Sequence, residues 1–148
     1  MSIWDILYKL EFYKRLQNRI VEIKQYFNDE AFIIAGDFNV ANEPIDVNNP
    51  QLHEGCVCYH PMERRDFKEL LKETDLTDTF RQLYPNKVQY TWWDFKTRAF
   101  SRNVGWRLDY LLSSPNVIKT TTDCWVDMDT RALPKTSDHA PSIIEFEL

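Results

Sequence analysis

Polar side chains that could act together in catalysis stand beside several apolar, strand-like segments of the chain. The five of interest are Asp37, Asn39, Asp109, Asp138 and His139. Carboxylates can bind a hard cation or orient a base, an imidazole can carry charge, and an amide can hold an oxygen atom. Together these side chains form a set suited to hydrolysis.

Local spacing supports this interpretation, although simpler alternatives exist for each residue. Asp37 and Asn39 are two residues apart after the apolar run 32–35, so an extended backbone would point both side chains the same way. Pro141 excludes an α-helix across the preceding Asp-His pair. An Asp at a strand end is nonetheless most often a turn or helix-cap acceptor. Taken singly, none of the five residues identifies a catalytic site.

The helices that must position these residues are predicted from hydrophobic spacing. Apolar residues recur at steps of three and four in a first amphipathic helix, at Tyr13, Leu16, Ile20, Ile23 and Phe27. Asn28 and Asp29 are expected to end this helix ahead of the strand that leads to Asp37. A second helix is predicted from Met62 to about Thr74, with Phe67, Leu70 and Leu71 buried.

Strands are predicted where β-branched and aromatic residues concentrate. Four such segments follow the second helix, at 88–93, 106–112, 118–126 and 142–148. In the second of them, Asp109 shares a face with Arg107 and Leu111. The order of helix, strand, helix and then mostly strands indicates an α/β fold with a mixed, mostly antiparallel sheet.

Composition limits the class of protein. A chain of 148 residues with 43% hydrophobic residues can bury one core, so we expect a single domain. The sequence lacks a run long enough to span a membrane and a signal-peptide layout at its start, which predicts a soluble intracellular protein without a membrane partner. The three cysteines include no CxxC pair and are expected to be reduced thiols.

A basic segment qualifies the acidic net charge of -5. Residues 96–107 contain four basic residues, Lys96, Arg98, Arg102 and Arg107, and no acidic residue. A nucleic-acid enzyme needs only one basic face, whatever its total charge. By itself, the segment is better explained as an ordinary solvated loop.

Several motifs in order resemble a known family. They are GDFN at 36–39, YTWW at 90–93, NVGWRLDYLL at 103–112 and SDHAP at 137–141, together with YKLEFYKRL at 8–16 and DLTDTFRQLYP at 75–85. They are similar to motifs of the exonuclease III-like apurinic/apyrimidinic endonucleases of the endonuclease/exonuclease/phosphatase superfamily. The resemblance runs from about Leu7 to Leu148.

The resemblance implies a DNA-repair nuclease that depends on Mg²⁺, with Mn²⁺ as the alternative cation. Its substrate would be double-stranded DNA cut 5′ of an abasic site, often with 3′ to 5′ exonuclease activity. The compartment would be the cytoplasm or nucleoid, or the nucleus in a eukaryote. His139, oriented by Asp109, would stabilise charge on the scissile phosphate, Asp37 would activate water and Asn39 would help to hold it.

The resemblance also assigns metal and substrate contacts. Asp138 and Asp37 would be the metal-site carboxylates, with Asp138 in direct contact or one shell away. Trp92, Trp106 and Leu108 match the apolar pocket that receives the flipped abasic sugar, while Trp93 is expected in the core. Arg98, Arg102 and Asn103 are the predicted DNA contacts of the basic segment and of NVGW.

Family members carry a whole N-terminal half ahead of the segment matched here. The resemblance therefore implies that residues 1–148 are the C-terminal part of the domain, half of a four-layer α/β sandwich with helices on one face. The family's asparagine, principal glutamate metal ligand and phosphate-contacting tyrosine have no counterpart in this sequence. A truncated product, one partner of a split enzyme and a domain that pairs with a second copy are all left open.

Function hypotheses of other classes also stay open at this point. A DNA-binding module without catalysis would need the basic segment but none of the five polar residues. A superfamily phosphatase acting on a small substrate would need the polar residues but not the basic segment. The abasic-site endonuclease, active or weakened as this chain alone, accounts for both features.

Overall fold

The computed structural model describes residues 3–27 and 31–147. The helices are α1 (Ile3–Tyr26), α2 (Pro50–His53), α3 (Pro61–Thr74), α4 (Thr79–Leu83), α5 (Pro115–Thr120) and α6 (Met128–Ala132), with 3₁₀ turns at Pro44–Asp46 and Phe100–Arg102. The strands are β1 (Ile33–Asp37), β2 (Thr77–Asp78), β3 (Asp109–Ser113), β4 (Thr121–Val126) and β5 (Ser142–Phe146). No helix in the described part of the chain is both long and apolar enough to cross a bilayer.

The strands confirm the α/β class and form two sheets rather than the single sheet predicted. One sheet has the order β1-β3-β2 and the other pairs β4 with β5. Every one of these pairings is antiparallel. In the first sheet Ile34 lies opposite Leu112, and Asp37 lies opposite Asp109 at the end of the ladder.

One face of the first sheet is covered by the two long helices. Tyr13 and Ile20 of α1 and Phe67 of α3 are buried against Tyr110 and the other core residues of β3. Side chains alternate across a strand, so Asp109 and Leu111 lie on the opposite face from this core. The helices thus do not cover the Asp109 side of β3, which faces residues of β4 and β5 such as Trp125 and Ser142.

The second predicted helix agrees with the structure to within a residue, because its start is marked by local chemistry. Pro61 occupies the first turn, and His60 accepts a hydrogen bond from the Met62 amide through Nδ1. Phe67 and Leu70 are buried, as predicted, whereas Leu71 is half-buried. The first helix begins at Ile3, ten residues before the predicted stripe, and Asn28 and Asp29 lie outside the described residues.

Three strand predictions were wrong in extent. The segment 106–112 is a strand only from Asp109, with Trp106 in isolated bridges. Residues 88–93 form no regular strand. The amides of Leu108 and Asp109 donate to the side-chain Oγ1 of Thr91, at 2.9 and 3.1 Å, and not to backbone carbonyls as in a strand ladder. The segment 118–126 is a strand only from Thr121, since the residues from Pro115 form α5. The last strand begins at Ser142, as predicted, but ends at Phe146, and Leu148 lies outside the described residues.

A buried ion network joins the first sheet to its neighbours. The Arg107 guanidinium, 1% exposed, lies 2.8 Å from the Asp46 carboxylate and 2.6 Å from that of Asp78. Burial opposes ionisation of Asp46, but the guanidinium groups of Arg107 and Arg81 hold the pKa of Asp46 below its usual range. Arg107 is therefore a structural residue. Of the four basic residues in the segment 96–107, only the other three remain for contact with a partner.

Candidate active site

The polar residues predicted from sequence meet at the open end of the β1–β3 ladder. The strand register places Asp37 opposite Asp109. The segment before β5 is then brought alongside, because the Ala140 amide donates to the Thr91 carbonyl at 2.8 Å and His139 bridges to Trp92. Two strands and one loop therefore converge on a single small region.

The imidazole of His139 lies between two carboxylates. Its Nδ1 is 2.8 Å from Asp109 Oδ2, and its Nε2 is 4.0 Å from Asp37 Oδ2. The hydrogen bond with Asp109 raises the pKa of His139, and the negative charges of Asp109, Asp37 and Asp138 raise it further against the effect of burial. The site favours a cationic imidazole that remains 29% exposed.

Burial is the main influence on the pKa of Asp37. Partial burial raises the pKa of Asp37, and the nearby Asp109 carboxylate adds to the rise, while a hydrogen bond from the Asn39 amide opposes it. A carboxylate with a raised pKa is a stronger base than an ordinary aspartate. Asp37 is thus suited to accept a proton from a bound water.

Asp37 and Asn39 contact each other directly, but not through the extended backbone predicted from their spacing. The Asn39 amide donates to Asp37 Oδ1 at 2.8 Å, and its side-chain Nδ2 donates to Asp37 Oδ2 at 2.7 Å. Asn39 has a φ of 51°, in the left-handed region that asparagine tolerates better than most residues. The chain therefore turns sharply after β1, and Asn39 fixes both oxygens of the carboxylate.

Asp138 is held by the pocket residue Trp92. The indole Nε1 of Trp92 donates to Asp138 Oδ2 at 2.9 Å, while the Asp138 carbonyl accepts the Trp93 amide at 3.0 Å. Among residues 3–27 and 31–147, no group of three His, Cys, Asp or Glu side chains is arranged to hold a metal ion. The assignment of Asp138 and Asp37 to a metal site therefore stays a prediction, and the described residues alone do not complete such a site.

The three predicted pocket residues belong to one apolar cluster. Trp92, Trp106 and Leu108 pack with the buried residues Val47 and Tyr59. Leu108 is buried, but both tryptophans are only partly buried and so offer apolar surface at the edge of the site. The structure therefore brings the predicted pocket together next to His139, through the bridge that His139 makes to Trp92.

Trp93 is fully buried, as predicted, and explains the glycine of the NVGW motif. A Cβ atom on Gly105 would lie 2.5 Å from Trp93 Nε1 and 2.8 Å from the Trp92 carbonyl. The same indole Nε1 donates to the Asn103 side chain at 3.2 Å. Asn103 thus joins the basic loop to the buried Trp93 side chain.

The basic loop itself leaves two of the predicted DNA contacts in solvent. Arg98 and Arg102 are exposed, and Arg98 takes a left-handed φ of 52°. Arg131 of α6 packs against the loop through cation–π contacts. Its guanidinium carbon lies 4.4 Å from the Phe100 ring centroid and 5.1 Å from that of Phe95. Arg131 was not predicted, because no local pattern marks a cation that packs under a distant loop.

The sequence matches a known family and several curated proteins. Residues 11–139 match the model of the endonuclease/exonuclease/phosphatase family. The chain is 32% identical over 135 residues to an exodeoxyribonuclease of Bacillus subtilis, covering 90% of this chain and 50% of that protein. It is 39% identical over 113 residues to the DNA repair nuclease APEX1 of Danio rerio, covering 76% of this chain and 35% of that protein.

Solved structures give the same result for the fold. An AP endonuclease from Archaeoglobus fulgidus superposes with a TM-score of 0.88 at 34% identity, covering 96% of this chain and 55% of that one. A Neisseria 3′ phosphatase bound to product DNA hairpin gives a TM-score of 0.88 at 32% identity, covering 97% of this chain and 55% of that one. The chain thus spans about half the length of these proteins. It belongs to the endonuclease/exonuclease/phosphatase family.

Proposed function

We propose that this chain is the C-terminal part of an exonuclease III-type DNA-repair nuclease that hydrolyses the phosphodiester 5′ of an abasic site. The observation that carries the proposal is the position of His139, hydrogen-bonded to Asp109 at 2.8 Å and 4.0 Å from Asp37. A cationic donor and a basic carboxylate then face one small space beside an apolar pocket. Phosphodiester hydrolysis uses both groups at once.

Each residue has a defined part in this proposal. Asp37 accepts the proton of the attacking water, whose oxygen bonds to phosphorus as the bond to the departing oxygen breaks. His139 places positive charge on the phosphate oxygens as negative charge builds up, and Asp109 keeps its ring oriented. Asn39 holds the Asp37 carboxylate through its two hydrogen bonds and presents it to the water.

Substrate contacts follow from the neighbouring surfaces. An abasic nucleotide has no base to unpair, so it costs little to extrude into the apolar surface of Trp92, Trp106 and Leu108. Arg98 and Arg102 are exposed, and their positive charges are suited to backbone phosphates of double-stranded DNA. The pocket supplies preference for the lesion, and the basic loop supplies affinity.

A divalent cation, Mg²⁺ or Mn²⁺, belongs to this proposal with Asp37 and Asp138 as its carboxylates on this chain. Mg²⁺ keeps several waters and often uses only one or two carboxylates. When bound, it would supply Lewis-acid charge stabilisation at the phosphate. The described residues contain no group of three potential ligands, and the principal glutamate ligand implied by the resemblance has no counterpart among them, so we assign that ligand to a second polypeptide segment.

The surface of the chain supports a requirement for such a segment. Within the described residues, β1 pairs only with β3, so its other edge is open. Trp4 and Tyr8 of α1 are 74% and 78% exposed, and Phe12 is 51% exposed. Apolar surface of this kind usually marks an interface. We assign it to an N-terminal half rather than to a second copy, because only such a half also completes the ligand set.

The test is nicking of a duplex oligonucleotide with one abasic site in about a millimolar Mg²⁺. The chain alone is expected to be slower by about 10-fold to 100-fold or more than a full-length relative, because metal ligands are missing. Adding the N-terminal half of a full-length relative in trans should raise the rate and produce co-elution. Turnover by the chain alone that equals a full-length enzyme would refute the incomplete site. No nicking even with co-elution of the two halves would refute the endonuclease.

One alternative is favoured by a specific similarity. The Neisseria structure is that of a 3′ phosphatase bound to product DNA hairpin. The same His139 and Asp37 chemistry would then act on a 3′-terminal phosphate. Parallel assays with an internal abasic site, a 3′-phosphorylated end and a plain 3′ end decide between endonuclease, phosphatase and exonuclease. A purely DNA-binding module predicts retention of all three substrates without cleavage.

A further inference from the structure

The turn that carries Asp37 and Asn39 is held from behind by a lysine of α1. Lys9 Nζ donates to the Asn39 carbonyl oxygen at 2.6 Å. The same ammonium lies 2.6 Å from Glu63 Oε1, with the Lys9 side chain 15% exposed and that of Glu63 fully buried. Lys9 therefore joins α1, α3 and the turn after β1 at one point.

The Asn39 carbonyl is a sensitive place for such a contact. A non-glycine residue with a φ of 51° is in a sparsely populated conformation that surrounding structure must maintain. Both hydrogen bonds from Asn39 to Asp37 depend on that conformation, because one uses the Asn39 amide and the other its side chain. The Lys9 ammonium is a charged donor to the Asn39 carbonyl, and this hydrogen bond stabilises the turn.

Glu63 fixes the position of the lysine. Its second oxygen, Oε2, accepts the His60 amide at 3.1 Å, as part of the capping box that starts α3. A fully buried carboxylate needs a close partner, and Lys9 supplies it. The Glu63 carboxylate that binds the ammonium is therefore itself held at the start of α3.

We propose that Lys9 is a positioning residue of the active site: supported by Glu63, it sets the left-handed turn at Asn39 and thereby the direction of the Asp37 carboxylate. The assignment rests on the proposed role of Asp37 in hydrolysis. A simple ion pair between α1 and α3 would instead affect the stability of the fold without a particular effect at Asn39.

The first test measures the turn directly. Hydrogen exchange of the Asn39 amide is followed by NMR in the wild-type chain and in Lys9→Met, with Lys14→Met as the matched control because Lys14 is exposed on the same helix. Loss of the carbonyl contact is expected to speed exchange at Asn39 by about 10-fold, beyond any change in the core amides of α1. Lys14→Met should leave the Asn39 amide unchanged.

A second variant covers the case in which Lys9→Met leaves the buried charge of Glu63 without a cation and the protein does not fold. Lys9→Met combined with Glu63→Gln removes both charges, and the same change at Asn39 is expected. Unchanged exchange at Asn39 in a folded variant would overturn the proposal. So would an equal increase across α1, or failure of both variants to fold, since the pair would then maintain the fold rather than the turn.

The functional test separates positioning from binding. Under single-turnover conditions, Lys9→Met is expected to lower the maximal nicking rate of the chain by about 10-fold to 100-fold, with little change in DNA affinity, because a small misplacement of Asp37 affects the chemical step. Lys9→Arg should recover part of the rate by keeping a cationic donor. A loss of affinity with an unchanged maximal rate would overturn the proposal. If the wild-type chain and its complemented form do not nick DNA, the proposed function fails, while the exchange measurement still decides what Lys9 does to the turn.

Discussion

The pairing of His139 with Asp109 predicts that the two side chains act as a single unit in catalysis. Their 2.8 Å contact is partly buried, with 29% and 19% of the side chains exposed, so solvent screens it less than a surface pair. Asp109 raises the pKa of His139 and fixes its ring through Nδ1. Removing either residue therefore removes the same oriented cation from the phosphate.

The expected magnitude follows from the loss of one such charge-stabilising group. His139→Ala and Asp109→Ala should each lower kcat by about 10²-fold to 10³-fold, equivalent to about 2.7–4 kcal/mol of transition-state stabilisation. If the two act as a unit, the double variant should lose about as much as the more severe single variant. Independent residues would instead give the product of the two losses, about 10⁴-fold or more.

The assay is single-turnover nicking of abasic duplex DNA by the two single variants and the double variant, in whichever assembly is active. Glu145→Gln, on the exposed part of β5, serves as the control for a loss of negative charge. Thermal midpoints are measured in parallel, so that loss of folded protein is not taken for loss of rate. Strictly multiplicative rate losses would refute the coupled pair. An unchanged kcat in His139→Ala would refute the catalytic assignment of the histidine.

Two further predictions concern pH and salt. Because the folded-state pKa of His139 is raised, its pairing with Asp109 stabilises the fold fully below the ordinary histidine pKa of about 6.5 and less as pH rises through the folded value. The stability difference between wild type and Asp109→Asn, from denaturant unfolding, should therefore shrink as pH rises; a difference that grows would contradict the raised pKa. Arg98→Ala and Arg102→Ala should each weaken DNA binding similarly across sequences and reduce the salt slope by about 0.9, as expected for loss of one phosphate contact. Binding titrations at several salt concentrations measure this, with the exposed Arg19→Ala of α1 as the control and an unchanged slope as the refuting result.

Local features of the sequence predicted the elements that follow local rules. The helix at Pro61–Thr74 begins at a proline behind a capping residue and shows a regular apolar stripe, so its bounds were predicted closely. The segment 88–93 has equally strong strand composition but forms no strand, because its backbone pairing is limited to isolated bridges of Trp92 with Trp106 and His139, and the side chain of its own Thr91 accepts the Leu108 amide. Composition records the preference of a segment, whereas a ladder also needs a partner strand in register.

The candidate site likewise has features that the sequence predicted and features that it did not. Its residue types and their order along the chain were readable from sequence, because GDFN, YTWW, NVGWRLDYLL and SDHAP are contiguous motifs. The local geometry of GDFN was not, because an extended chain and a left-handed turn both place Asp37 near Asn39, and only the turn gives the two hydrogen bonds observed.

What the sequence determined by itself was therefore the family resemblance, the α/β class and the identity of the polar residues. Tertiary structure alone decided which of them meet: His139 pairs with Asp109 across 30 residues of chain, Arg107 is buried with Asp46 across 61, and Lys9 reaches Asn39 across 30. These contacts depend on strand register and on the packing of α1 and α3, both of which place distant segments together through the burial of apolar faces. A basic side chain looks the same in sequence whether the fold leaves it in solvent, as with Arg98, or buries it between carboxylates, as with Arg107.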